Sequence, residues 1–219
     1  KQMTSIEVFP RKGAETYYKA VRPDGTDFYS GKVLWDRVGE IVEHPNPGTD
    51  HARGYLSVSV SPADCTGMRW PCRLFEVEQV EGVPVWKPSP SLPSKRASHA
   101  WRVVRELPAY EALGPNGVEV AAFLALLPTL TRTQWDTAWD AAWAVTRFAA
   151  WDAAWDATRD AAWAAIRDAT RFATWFVALD AALALLVRDL ITTTQFDALT
   201  APMRAAGIDF DTLTAPDKL

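Results

Sequence analysis

The chain has 219 residues, enough for one or two domains, and with 48% hydrophobic content it can bury a real core. Its formal net charge is −4, and the excess acid is C-terminal: from Val118 onward eight Lys/Arg stand against thirteen Asp/Glu. That balance argues against a nucleic-acid-binding surface in the second half, and the most apolar run, Phe172 to Val187, is broken by Asp180 and is not a membrane span.

In the first half, alternating or β-rich runs lie at Ile6–Phe9, Thr16–Val21, Glu40–Glu43, Tyr55–Val60, Arg73–Val80, Val83–Trp86 and Trp101–Leu107. Turn signals separate them. Arg22-Pro23-Asp24-Gly25 is a β-turn sequence, and Pro45-Asn46-Pro47-Gly48 and the proline-rich stretch Lys87–Ser98, with three prolines, read as exposed loops. In Arg73–Glu78, Leu74 and the neighbourhood of Val77 are expected to face inward, with Glu76 and Glu78 on a solvated strand face. Cys65 and Cys72 fall short of a metal quartet. With no signal peptide visible, they are expected as a reduced pair in the cytoplasm. His44, His51 and His99 are scattered in loop-like sequence and read as surface residues rather than bases. No Gly-rich phosphate loop is present. No metal or cofactor is expected.

Three segments carry a family resemblance: YYKAVRPDGTDFYSG, YLSVSVSPADCTGMRWPCRLFEVE and RVVRELPAYEALGPNG. With them, the chain from Tyr17 to Gly117 resembles a family of uncharacterised domains from actinobacteria and their phages. Members carry an Ala/Arg/Asp/Trp-rich tail followed by a segment like LVRDLITTTQFDALTAPMRAAGI. The resemblance implies no activity. A second similarity is to the ADP-ribosyltransferase fold. It rests on a first strand like Tyr17–Val21, the Ser-rich run of Ser57, Ser59, Ser61 and Pro62, and the Glu76-x-Glu78 pair. In those enzymes the catalytic Glu sits on a later strand, where Glu106 is the nearer match. The expected Arg is missing from the first strand, although Arg22 follows it. The similarity implies a nucleotide-handling enzyme and stands as the alternative; no transferase activity is expected.

The second half is helical. No Gly occurs between Gly117 and Gly207, Ala dominates, and Pro128 is the lone Pro between Pro115 and Pro202. Val118–Leu127 is a first helix, broken at Pro128-Thr129, with Thr131 or Thr133 capping the next; Gln195–Ala206 is the last, stopped by Gly207. From 135 to 190 the chain repeats in fours: WDTA, WDAA, WAVT, RFAA, WDAA, WDAT and onward. The first slot is Trp or Arg, the second usually Asp, the last two small.

Four residues advance an α-helix by about 400°, so the Trp stripe drifts about 40° per unit. A single straight helix would show Trp on every side. The array is therefore expected to break into two or three packed helices, near Thr146–Phe148 and Ile166–Thr170. Like-charged i, i+4 pairs such as Asp152/Asp156 call for compensation, and Arg159 lies three residues after Asp156. The acidic slots read as a solvated face, or else as a ladder pairing Asp with Trp and Arg across a helix interface.

These observations give an α+β protein with a β-rich domain over 1–117 and a helical region over 118–219. They favour a non-enzymatic interaction or assembly module, self-associating or binding a protein partner, with no nucleic acid or membrane involved. The contact residues are expected to be Trp135, Trp139, Trp143, Trp151, Trp155, Trp163, Trp175, Asp152, Asp156 and Arg159. Trp139, Trp151, Trp155 and Trp163 are expected to be largely buried against neighbouring helices or a second copy.

Overall fold

The computed structural model describes residues 15–48, 54–65, 69–143 and 175–213. The fold is α+β: an N-terminal six-stranded antiparallel sheet followed by a block of helices. The chain divides into two compact units, Lys1–Met68 with Cys72–Ala112, and Arg69–Pro71 with Leu113–Leu219.

The strands are β1 (Tyr17–Val21), β2 (Ile41–Glu43), β3 (Leu56–Ser59), β4 (Arg73–Gln79), β5 (Lys95–Ser98) and β6 (Ala100–Leu107), in the order β2-β6-β4-β1-β3-β5. Only His99 separates β5 from β6, yet they lie at opposite sides of that order. They are two halves of one bent strand. Its first half pairs with β3 and its second with β4, so the pairings run in a ring through β1, β3, the bent strand and β4. Residues alternate across the ring wall. Tyr17, Val21, Leu56, Val58, Phe75, Val77, Trp101 and Val103 point into one core, joined by Trp35 and Val85. Trp101 closes the ring across its interior: its indole Nε1 donates to the Leu56 carbonyl at 3.1 Å, and its ring meets Tyr17 edge-on at 5.0 Å.

The Arg22–Gly25 turn forms as its sequence predicts. Gly25 N donates to Arg22 O and Arg22 N to Thr26 O, with Gly25 at φ +83°. A Cβ there would also come within 2.9 Å of Asp36 Cβ, so glycine is required twice over. Two elements differ from expectation. Lys87–Ser98 is not all loop, because its last four residues form β5. Val83–Trp86 shrinks to one bridge, Trp86 with Ala97, which covers the outer edge of β5. Leu74 and Val77, three residues apart, are both buried, from opposite faces of β4. Ile6–Phe9 lies outside the described residues.

In the second unit α1 spans Gly117–Leu126, α2 Arg132–Trp143, α3 Trp175–Leu186 and α4 Thr193–Ala205. Thr131 caps α2 and Thr192 caps α4. In each case the hydroxyl accepts from the backbone N–H of a Gln three residues on (Gln134, Gln195), whose side chain reaches back. Gly207, at φ +90°, ends α4. Its N–H bonds to Arg204 O and the N–H of Ile208 to Met203 O, which is a Schellman closure with Ile208 and Met203 both buried. The α3 residues from Val177 on are buried on every side, through to Val187 just beyond the helix; Asp180 is among them. Such a helix cannot be amphipathic, and apart from Asp180 its residues from Val177 on are aliphatic or alanine. Phe123, Phe196 and Phe210 complete this second core. No described helix is long and apolar enough to cross a membrane.

Candidate functional site

The repeat enters the described structure through α2. One slot per turn can face the interior of a helix bundle, and here it is the fourth. Ala138 is fully buried, and Gln134, one turn earlier, donates from its amide to Ala206 O at 3.2 Å. A small residue at that position lets two helix backbones approach closely. The first slot is thereby turned toward the flank. Trp135 is half-buried and Trp139 keeps 36% of its surface exposed, against the expectation that it is largely buried. The physical reason is the phase of the repeat: burying the fourth slot rotates the first about 100° away. Asp136 and Asp140 are exposed, and Asp136 pairs with Arg132, one turn back, at 3.0 Å. Trp143 ends α2 and Trp175 begins α3, with side chains outside the described residues. Trp151, Trp155, Trp163, Asp152, Asp156 and Arg159, and both expected breaks in the array, also lie outside them.

The residues of the transferase-like similarity fall in the ring. Strand pairing sets Lys95, Ser59, Tyr18, Glu76 and Arg105 in one row across five strands on the outer face. Glu106 pairs with Phe75 and so belongs to the opposite face. Ser59, Glu76, Glu78 and Glu106 each have a defined partner. The Ser59 hydroxyl donates to Asp64 O at 2.7 Å. Glu76 accepts from Arg105 at 2.7 and 2.8 Å, and Glu78 pairs with Arg102 at 3.4 Å. The two Glu side chains expected on a merely solvated face are thus cross-strand ion-pair partners. Glu106 accepts a two-pronged bond from Arg73, both arms 2.7 Å, and that guanidinium holds its carboxyl below the usual range. The Arg22 guanidinium donates to Phe28 O at 3.4 Å. The space between β1 and β3, lined by Ser57, Ser59, Cys65 and Lys95, amounts to about 20 Å³, room for a single water.

Sequence reading passed over Lys19, although the alternation of Tyr17, Lys19 and Val21 sets it on the core side. Its ammonium donates to Ser57 O at 3.0 Å and lies 5.0 Å from the centre of the Trp35 ring. Burial lowers its pKa to about 8, against the pull of Asp27. Asp27 is itself buried. Its carboxylate accepts from Ser30 N, the Ser30 hydroxyl and Val33 N, and these bonds outweigh burial and keep its pKa below normal. This set braces the loop that carries Trp35 into the core.

Cys65 and Cys72 are buried thiols that are not joined to each other, and burial pushes them up to about 11 and about 12. His99 is not a simple surface residue. It packs edge-on against Trp86 at 5.2 Å, with Nε2 3.2 Å from Gly48 O. His44 accepts at Nδ1 from Asn46 N, and His51 lies outside the described residues. Among the described residues no cluster of His, Cys, Asp or Glu is placed to hold a metal.

A separate groove of about 320 Å³ runs beside β2, lined by Lys32, Leu34, Arg37, Ile41, Glu43 and Pro45 among others. The molecule is therefore of the α+β class, with a strand ring, a helix block that the Trp/Asp repeat enters through α2, and a groove beside β2. Compared with family models, curated proteins and solved structures, the chain has no match.

Proposed function

We propose that the protein is a non-enzymatic interaction and assembly module that associates through the first and second slots of its repeat. The observation that carries this reading is the phase of α2. The small fourth slot is spent on the intramolecular core, and Trp139 keeps 36% of its surface exposed beside the exposed Asp136 and Asp140. A Trp flank bordered by carboxylates offers a large rigid apolar contact with a charged rim, the composition of an association surface. Ser59, Glu76 and Glu106 are each engaged with a neighbouring group, and the space between β1 and β3 is water-sized. The reading places the protein in the cytoplasm, in keeping with two cysteines held as buried thiols.

The test is Trp139→Ala in the full chain, followed by thermal melting and by sedimentation equilibrium. Stability is expected to fall by less than about 3–5 kcal/mol, the cost of truncating a fully packed Trp, while self-association weakens at least about tenfold. A loss of several kcal/mol with unchanged association would mean that the Trp slot serves only the chain's own core.

A further inference from the structure

The β2 edge is built differently from every other strand edge of the ring. Val103 N donates to Glu40 O and His44 N to His99 O, so Glu40, Val42 and His44 turn their backbone groups toward β6. By alternation, the N–H and C=O of Ile41 and Glu43 point the other way, into the groove. No described group pairs with them. The corresponding edge of β5 is covered by Trp86. Exposed apolar side chains collect around the open edge: Leu34, Val38 at 56% exposed and Ile41 at 40%.

We infer that β2 pairs antiparallel with β2 of a second copy of this chain, about a two-fold axis through Val42. Register selects this occupant. With Val42 opposite its symmetry mate, Ile41 of one copy faces Glu43 of the other. These are the two residues whose backbone groups point outward, so all four inter-chain hydrogen bonds form at once. An axis midway between two residues would set inward-facing groups against outward-facing ones and lose the ladder, and an axis moved to Ile41 would keep one bonded pair, Ile41 with its mate, because the Gly39 N–H that then meets Glu43 is held by Val103 O. Charge agrees with the register. Glu40 of each copy falls opposite His44 of the other, so the two-fold makes two acid–imidazole pairs and brings no like charges face to face. The groove lining is balanced as well, with Lys32 and Arg37 against Glu40 and Glu43. Such a surface is self-complementary and offers no net charge to select a strongly acidic or basic partner.

This interface is separate from the Trp repeat, and its test reads the edge directly. In the full chain, amide hydrogen exchange at Ile41 and Glu43 is expected to slow as protein concentration rises, by at least about tenfold between dilute and concentrated samples. Exchange at these two amides that is independent of concentration overturns the proposal, whatever the repeat does. The variant Glu43→Pro removes an N–H that points away from β6, so the monomer ring tolerates it. It is expected to halve the mass in solution. An unchanged mass in a folded Glu43→Pro chain also overturns the proposal. Glu40→His alone weakens the pairing, and Glu40→His combined with His44→Glu restores it. If the exchanged pair fails to restore it, the register is wrong.

Discussion

The two cores are organised on opposite principles. In the strand ring, several buried polar groups have individual partners. The Trp101 indole serves Leu56 O, the Lys19 ammonium serves Ser57 O, and the Asp27 carboxylate gathers three donors. In the helical unit, α3 is wrapped in aliphatic and alanine side chains, and its helix ends are where specific hydrogen bonds concentrate. The ring is specified by particular atoms in particular places. The helix block is specified by composition, phase and caps.

Substitutions can break this contrast. Trp101→Ala is expected to cost about 3–5 kcal/mol, through the cavity and the stranded Leu56 carbonyl. Leu183→Met, at an equally buried position in α3, is expected to cost less than about 1.5 kcal/mol, because volume is conserved and no polar atom is involved. Denaturant unfolding of the two variants checks the pair. Similar losses in both would show that the helical core is as particular as the ring.

A smaller effect sharpens the same point. Thr192→Ala removes one half of the α4 capping box and is expected to cost about 1 kcal/mol, since in the helical unit specificity sits at the ends. A loss below the error of the denaturation curve would move that specificity elsewhere.

The smallest effect is a pH signature confined to the ring. Lys19 titrates near 8 in the fold against an ordinary 10.5, so between those values the unfolded chain holds the extra proton. Stability contributed by this group therefore rises with pH across that window. Asp27, whose carboxyl is held below normal, acts with the same sign in an acid window: its stabilisation is present at neutral pH and is lost as acid takes the pH down through its folded value. Buried thiols and other lysines titrate in the same alkaline range, so the measurement is a difference. The parent minus Lys19→Met stability curve is expected to climb from pH 8 to 10.5, and a flat difference would mean that Lys19 is not desolvated.

Much of this architecture was legible in the sequence. β1, β3, β4 and β6 announce themselves by alternation, and α1 and α4 by apolar content and by the Gly207 stop, while the Thr192 cap went unread. β5 was not legible. Lys95-Arg96-Ala97-Ser98 follows a proline-rich stretch and has little strand character of its own. It is extended because β3 on one side and Trp86 on the other bond to it, which is tertiary information. The orientation of Trp139 was hidden for another reason. A four-residue period sweeps every slot around the helix, so the pattern fixes the spacing of the indoles but not the direction in which any one of them points. That direction was set by Gln134 and Ala138 meeting the helix block. Lys19 escaped notice because its charge argues for solvent, while its place in the strand argues for the core.

The single bridge at Trp86 has a consequence for solubility. A sheet with two bare edges can add subunits without limit, and fibres grow in this way. Here one edge is stoppered by Trp86, packed against His99 and Tyr55, and the bare one is three residues long and followed by Pro45 and Pro47. Stacking by strand pairing therefore has a first step and no second. Removing the stopper, with Trp86→Gly, would turn a terminating unit into a propagating one.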